Sequence, residues 1–182
     1  MKFTLSWLNE HIKLTKSEIQ VSELLTNLGL EVESLDSLNE NFKNFLVSKI
    51  VKVKKHPNAD RLKVCKINYG KENFKVVCGA SNAAEGLKTI FAPNGTYIPG
   101  TNFKLEKKSI RGVEGDGMLC SEKELGFPEK TDGIIELDNN YDVGKTLNNY
   151  IQNDFLFNIG LTPNRGDCAS VRGIARDLAA SL

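Results

Sequence analysis

The chain has 182 residues, 40% of them apolar, and a formal net charge of +1 at pH 7. This length suits one domain or two small ones, and the apolar share is enough for a packed core. The sequence contains no apolar run of the ~18 residues that a membrane helix needs and no signal-peptide core, so a cytoplasmic protein is expected. The four cysteines are widely spaced, which predicts reduced, buried thiols, and two histidines leave little material for a metal site.

The small net charge hides a strong asymmetry along the chain. Residues 47–75 carry nine Lys or Arg against two acids, whereas residues 113–154 carry three against ten. Residues 1–40 are also acidic, with three lysines against seven acids. A basic middle segment attracts polyanions even when the whole chain is nearly neutral. The alternative is that the basic and acidic stretches face each other within the fold.

The first predicted element is a helix. A capping box at Thr15–Glu18, an apolar face from Val21 to Leu28 and Gly29 just past the last turn are its signals. A short strand is predicted from Leu30 to Leu35. One helix and one strand cannot bury both their apolar faces alone, so this segment needs a partner.

From residue 45 the period of the apolar residues changes to two. Strands are predicted at 47–54, 62–68, 74–78, 88–91, 103–107 and 134–137, with Pro- and Gly-containing turns between them. Short strands with almost no helix predict a small closed sheet, of the size of an oligonucleotide/oligosaccharide-binding (OB) barrel. The glycine-rich stretch 111–117 is predicted to form a bend.

The last segment, like the first, is predicted to contain one strand and one helix. A strand is predicted at 155–161, and a helix follows with Ser170 as its N-cap and an apolar face that starts at Val171. Because no Gly, Asn or Pro closes this helix, we expect the sequence to be a piece of a longer chain.

The predicted fold is therefore α+β and all-β, with an OB-fold β-barrel inserted into a small split α+β domain. We expect residues 1–40 to form the first half of the split domain, residues 41–150 the barrel, and residues 151–182 the second half. Insertion of one domain into another is tolerated when the termini of the inserted domain lie close together.

The stretch HPNADRL, residues 56–62, is a predicted turn between two basic strands. Turn chemistry explains Pro57 and Asp60. It does not explain why lysines and arginines flank the turn on both sides. Strand alternation places Lys52 and Lys54 on one face, where they could meet phosphates.

RNA is usually held by base stacking on aromatic rings as well as by cations. Packing in the core or at the rim of the barrel is the alternative that we favour for each aromatic residue of the middle segment. The candidate rings are Tyr69, Phe74, Phe91, Tyr97 and Phe103.

Catalysis is not predicted within these residues. Cys120 and Ser121 could be read as nucleophiles, but no histidine lies near them in sequence and no base is identifiable. The sequence also lacks a Gly-x-x-x-x-Gly-Lys-Ser/Thr loop and a strand followed by Gly-x-Gly-x-x-Gly. We therefore expect no catalytic residue and no metal site.

Three motifs resemble a known module. HPNADRL (56–62), VVCGASN (76–82) and IRGVEGDGMLCSEKELGF (110–127) look like the tRNA-binding barrel of free-standing tRNA-binding dimers, of a methionyl-tRNA synthetase appendage and of the bacterial phenylalanyl-tRNA synthetase β subunit. The flanks MKFTLSWLNEHI (1–12) and LTPNRGDCASVRGIARDLAA (161–180) resemble that β subunit. Ala169 departs from the pattern, where a larger aliphatic residue is expected.

The resemblance implies a non-catalytic N-terminal region of an aminoacyl-tRNA synthetase, with auxiliary, mainly phosphate-directed tRNA binding. It implies an α₂β₂ tetramer whose α subunit activates phenylalanine. It implies that the parent enzyme uses ATP and magnesium and that this segment binds no cofactor. It also implies an editing domain beyond residue 182. Neither a membrane nor DNA is expected as a partner. The residues carried over for RNA contact are Lys54, Lys55, His56, Asn58, Arg61, Asn82, Lys108, Arg111 and Ser121.

Two alternatives stay open at this stage. The segment could be an architectural or interaction module of the tetramer with little RNA contact, in which the acidic stretch screens the basic strands. It could also be a free-standing RNA-binding dimer, although the uncapped last helix speaks against that.

Overall fold

A computed structural model describes residues 1–70, 72–128 and 132–182 of the chain. The chain divides into two compact units, one made of residues 1–39 and 152–182 and the other of residues 40–151. We call the first the split unit and the second the sheet unit.

The helices and strands follow one another in chain order. They are β1 (Lys2–Thr4), α1 (Leu5–Asn9), α2 (Glu18–Asn27), β2 (Val32–Ser37), β3 (Leu46–His56), β4 (Ala59–Asn68), β5 (Asn73–Cys78), β6 (Lys88–Pro93), β7 (Tyr97–Ile98), β8 (Phe103–Lys104), β9 (Ser109–Ile110), β10 (Val113–Glu114), β11 (Gly117–Leu119), β12 (Phe155–Ile159) and α3 (Val171–Ala179). Short 3₁₀ helices span Leu38–Phe42, Leu147–Asn149 and Pro163–Cys168.

In the split unit, helix α2 begins two residues later than the sequence indicates. Ser17, not Thr15, is the N-cap: its hydroxyl accepts the Gln20 N–H, and the Gln20 side chain accepts the Ser17 N–H. The predicted left-handed residue at Gly29 is confirmed, with φ of +79°. The predicted capping box is therefore present, but it is formed by Ser17 and Gln20 and not by Thr15 and Glu18.

The split unit packs its helices on the antiparallel sheet β1-β12-β2. Strand β12 lies in the centre, so residues distant in sequence share one sheet. The predicted C-terminal helix is confirmed: Ser170 caps α3 by accepting the Gly173 N–H at 3.0 Å, and Ile174 and Leu178 are fully buried. Each half of the sequence therefore supplies part of one hydrophobic core.

The sheet unit is built on a five-stranded antiparallel sheet of order β11-β6-β3-β4-β5. The predicted strands that became β3, β4, β5 and β6 are confirmed, with β3 and β4 longer than expected. The predicted strand 134–137 makes only a single bridge, between Leu137 and Lys88. Strand β11 was not predicted, because its first residue, Gly117, belongs to the glycine-rich stretch 111–117 that was predicted to form a bend.

The five-stranded sheet is open at its edges. Strands β5 and β11 are its two parallel edge strands, and no ladder joins them within the described residues. In the described part of the chain, hydrogen bonds tie one end of this seam: Lys75 O accepts the Asp116 N–H at 2.8 Å, and Asp116 Oδ2 accepts the Lys75 N–H at 2.9 Å. The expectation of a closed sheet is therefore not confirmed; the fold is mixed helix and sheet with open antiparallel sheets.

The start of β3 lies beside residues 145–147, near the end of the sheet unit. Leu147 donates its N–H to Phe45 O at 2.7 Å, and Val47 donates to Lys145 O at 2.8 Å. The unit thus holds its own two ends together.

An aromatic cluster fills part of the sheet unit's core. Tyr69 stacks on Phe74 with ring centroids 4.9 Å apart, and both contact the fully buried Phe91. Core packing, the favoured alternative for these three rings, is confirmed. Tyr97 and Phe103 remain about half exposed on the β7–β8 hairpin.

Candidate nucleic-acid interface

A row of lysines crosses three neighbouring strands on the outer face of the sheet unit. Lys52 on β3 pairs with Lys66 on β4, which pairs in turn with Lys75 on β5. A register shift between Ile50 and Lys52 sets this alignment. Like charges directly opposite each other in a sheet are destabilising, so the fold alone gives no reason for this row.

The row forms one wall of a groove of about 640 Å³. Lys54 and Val64 continue this wall, and Glu114 and Asp116 lie on its other side. We call it the lysine groove; it is lined by Lys52, Lys54, Val64, Lys66, Asn73, Phe74, Lys75, Glu114 and Asp116.

The acids of the groove do not neutralise its lysines. Glu114 pairs with Lys107 at 3.2 Å, an exposed pair of little energetic weight. Asp116 Oδ2 is engaged by the Lys75 backbone N–H. Among the described residues, no carboxylate lies within ion-pair distance of the ammonium groups of Lys52, Lys54, Lys66 or Lys75. The lysine groove is therefore a site of net positive charge.

The HPNADRL turn is tied to the tip of the β9–β10 hairpin. Buried His56 accepts the Asn58 N–H at Nδ1 (3.1 Å), so its proton lies on Nε2, which donates to Ile110 O at 3.0 Å. The Asn58 amide donates to Arg111 O at 3.0 Å. Two of the sequence motifs are thus brought together, and their basic side chains share one end of the sheet.

Arg111 occupies a backbone position that suits other residues better. The hairpin turn has φ of +49° at Arg111 and +88° at Gly112, the pattern in which Asn-Gly is favoured. A left-handed conformation costs most side chains about 1 kcal/mol. The Arg111 guanidinium donates a long hydrogen bond to Asn58 O at 3.5 Å, and the side chain is otherwise exposed to an incoming ligand.

The change Arg111→Asn is expected to stabilise the fold by up to about 1 kcal/mol and to weaken tRNA binding several-fold. Urea denaturation and an anisotropy titration measure the two effects. Lys108→Asn is the matched control, because it removes a charge next to the same tip without relieving a left-handed residue. Equal stability changes in the two variants would refute the strain argument.

The structure separates the predicted RNA-contact residues into two groups. Six are exposed around the groove and the turn tips: Lys54, Lys55, Asn58, Arg61, Lys108 and Arg111. Three are buried or partly buried and bond within the fold: His56, Asn82 and Ser121. Exposed Asn58 also bonds within the fold, to Arg111 O. Sequence reasoning missed Lys66 and Lys75 as groove residues; alternation placed Lys52 beside Lys54, but only the register shows which lysines meet across strands.

Asn82 joins the loop after β5 to residues 133–136. Its amide nitrogen donates to Ile134 O at 2.8 Å and to Glu136 Oε1 at 3.0 Å, while its oxygen accepts the Ile134 N–H at 3.1 Å. Both ends of its amide are thus engaged in holding two segments together.

Replacing Asn82 by Asp is expected to lower the free energy of unfolding by about 1–3 kcal/mol. The new carboxylate would face the Ile134 carbonyl and the Glu136 carboxylate, which repel it. Urea denaturation at pH 7, followed by circular dichroism, measures the loss. Asn139→Asp, at an exposed position, serves as the control and should change stability by less than about 0.5 kcal/mol.

The buried thiols are not poised for chemistry. All four cysteines are free and buried, as predicted. Burial raises the pKa of Cys65 to about 11 and also raises the pKa values of Cys78 and Cys120. A thiol that stays protonated at neutral pH is a poor nucleophile.

One acidic cluster in the split unit has the composition of a metal site. Ligand atoms of Asp167, Cys168 and Asp177 lie within 4.8 Å of one another. The Arg165 guanidinium donates to all three, at 2.9 Å to Cys168 Sγ and 3.4 Å to Asp167 Oδ1, and also to Leu28 O. A cation already occupies the centre of this cluster, so it does not fit a metal ion.

Most of the sheet unit matches a known protein family. A family model described as "Putative tRNA binding domain" matches residues 45–146. The chain belongs to this tRNA-binding domain family.

The similarity to individual proteins extends beyond that domain. The chain is 49% identical to the phenylalanine–tRNA ligase beta subunit of Paramagnetospirillum magneticum, over 99% of this chain and 23% of the relative. It is 44% identical to the subunit of the same name from Protochlamydia amoebophila, over 100% and 23%. The chain thus spans about 23% of the length of these relatives. A solved MetRS-related protein from Pyrococcus horikoshii gives a TM-score of 0.42 at 23% identity, over 57% of this chain and 87% of that one.

The described part of the chain has no helix with the length and apolar character needed to cross a membrane.

Proposed function

We propose that the sheet unit binds tRNA mainly through its phosphates, as an auxiliary contact in a phenylalanine–tRNA ligase β chain. The observation that carries the proposal is the lysine row Lys52–Lys66–Lys75, which has no partner among the described residues and lines a groove. The exposed cations at the turn tips extend the same surface. Ammonium groups aligned on a rigid sheet bind phosphates without regard to base sequence.

We infer that the sheet unit is a partly open OB barrel. Its strand order places a three-stranded meander, β3-β4-β5, beside β6 and β11. Among the described residues, the hydrogen bonds between the edge strands' segments join Asp116 and Lys75. OB folds bind oligonucleotides on the face of their second and third strands and on the loops after the first and fourth. Here these parts correspond to Lys66, Lys75, the HPNADRL turn and the β9–β10 hairpin.

The proposed parent is a cytoplasmic α₂β₂ ligase that uses ATP and magnesium in its α subunit. The proposed domains are residues 1–40 with 151–182, interrupted by residues 41–150. The Arg165-filled cluster does not fit magnesium, so no catalytic step is assigned here. The proposed RNA contacts are the six exposed residues of the sequence prediction plus the groove lysines. His56, Asn82 and Ser121 are proposed to act by holding the loops.

Fluorescence anisotropy of labelled tRNA across a salt series tests this function. We expect binding that weakens steeply with salt, with a slope of about 0.9 per phosphate contacted. If binding were absent at low salt, the proposal would be rejected.

An architectural role is the second candidate. It is favoured by the three motif residues that bond only within the fold, since a motif can exist to hold loops rather than RNA. An architectural module would bind the rest of the β chain or an α subunit with the same affinity after its groove lysines are removed, and would not bind tRNA at all.

A further inference from the structure

A second cleft lies in the seam between the two edge strands of the open sheet. It has a volume of about 570 Å³ and is lined by Val77–Ala80 of β5 and its end, Met118–Leu119 of β11, Ser121, Glu124 and residues 132–134. We call it the seam cleft. Two of the sequence motifs, residues 76–82 and 110–127, converge on it, and phosphate binding in the lysine groove gives no role to residues 76–82 or 118–127.

The chemistry of the seam cleft differs from that of the lysine groove. Val77, Met118 and Ile134 supply apolar surface, and Glu124 and Asp132 supply carboxylates. No Lys, Arg or His is among its described lining residues. The two carboxylates of the described lining disfavour a phosphate. A flat apolar body that carries hydrogen-bond donors would be accepted.

The walls of the cleft are held in place before any ligand arrives. Lys63 donates from its ammonium group to Ser81 O at 2.7 Å and Ala83 O at 2.8 Å, which fixes the loop after β5. The Asn82 bonds fix that loop to residue 134. Glu124 Oε2 accepts the Ser121 N–H at 2.6 Å. A preformed cleft loses little entropy when it binds.

The seam cleft and the lysine groove are neighbours. Lys75 lines the groove and Val77 lines the cleft; they lie two residues apart on one face of β5, a separation of about 7 Å. Asp116 and Met118 stand in the same relation across the seam. One nucleotide can therefore place its phosphate on the lysines and its base in the cleft.

We propose that the seam cleft binds an unpaired nucleobase with an exocyclic amine, while the adjoining phosphate lies on Lys66 and Lys75. This inference rests on the proposed RNA binding and adds base selectivity to it. The amine of cytosine, adenine or guanine donates to the carboxylates of Glu124 and Asp132. Uracil presents a single N–H between two carbonyl oxygens, and those oxygens face carboxylates unfavourably.

Anisotropy titrations with labelled single-stranded oligo-C and oligo-U of equal length test the proposal, because both are pyrimidines with the same backbone charge. Oligo-C is expected to bind about tenfold more tightly, because a charge-assisted hydrogen bond contributes about that factor. The salt slope should be the same for both oligomers. Ala80→Phe, which fills the cleft, should remove this preference, and Asp132→Ala, which removes one of the two carboxylates, should weaken it. Ala84→Phe, on the exposed part of the same loop, is the matched control and should keep it.

The outcomes separate the two proposals. Equal, salt-dependent binding of both oligomers to the unaltered chain overturns the base cleft and leaves phosphate binding intact. Failure of both to bind at low salt overturns the proposed function itself. A preference for oligo-C that is undiminished in Asp132→Ala also overturns the cleft, and this variant decides the question even if Ala80→Phe does not fold.

Discussion

Replacing Lys52, Lys66 and Lys75 together by Ala is expected to lower tRNA affinity at low salt by at least about 100-fold. Each lysine that contacts a phosphate releases a counterion, so the salt slope should fall by about 2.7 for three duplex contacts. The fold should not weaken, because the change removes like charges that oppose each other across strands. Anisotropy titrations at several salt concentrations measure both quantities.

The triple change Lys2, Lys13 and Lys16 to Ala is the matched control for charge. It removes the same net charge from the split unit and leaves the lysine groove intact. If the control lost as much affinity as the groove variant, binding would depend on overall charge and not on the lysine row. An unchanged affinity in the groove variant would favour the architectural role.

Gly117→Ala is expected to destabilise the sheet unit by about 3 kcal/mol. A Cβ at this position would lie 2.2 Å from Ala92 O and 2.4 Å from the Phe91 ring, so β11 could not stay paired with β6. The same shift would distort the seam cleft, which β11 borders. Urea denaturation followed by circular dichroism gives the stability change, and the midpoint should fall.

Gly166→Ala is the control for this substitution. No atom lies within 4 Å of a Cβ built there, and its φ is not left-handed. Its effect should be close to zero, or stabilising by about 0.4–1 kcal/mol through a less flexible unfolded chain. If both variants lost similar stability, the close packing of β11 on β6 would not be the reason that position 117 requires glycine.

Local patterns in the sequence were sufficient for most of the regular elements. The α3 cap at Ser170, the left-handed Gly29 and strands β3 to β6 all follow from interactions within a few residues. The α2 cap was misplaced because Thr15 and Ser17 both satisfy the capping pattern, and only the folded chain shows which hydroxyl is used. Strand β11 was missed because glycine at its start is required by the adjacent Phe91 ring, a contact distant in sequence.

The candidate site was only partly predictable for the same reason. Charge density along the chain located the basic segment, but the lysine row depends on strand register, and register depends on the irregularity after Ile50. His56 and Asn82 matched the binding motifs as polar residues, yet their partners lie on loops that sequence alone does not place beside them. The lysine row and the seam both arise from pairing between strands, so the sequence of a single strand does not predict them.

The hydrogen bonds that join Phe45 to Leu147 and Val47 to Lys145 bring the incoming and outgoing chain of the sheet unit side by side. A segment whose ends meet in this way can replace a surface turn in another protein without stretching its host, because the gap that the host must bridge is only one strand spacing, about 4.8 Å. Residues 45–147 therefore have the geometry of a segment that can be transplanted between proteins. Grafting them into an unrelated scaffold would carry the groove and the seam with it.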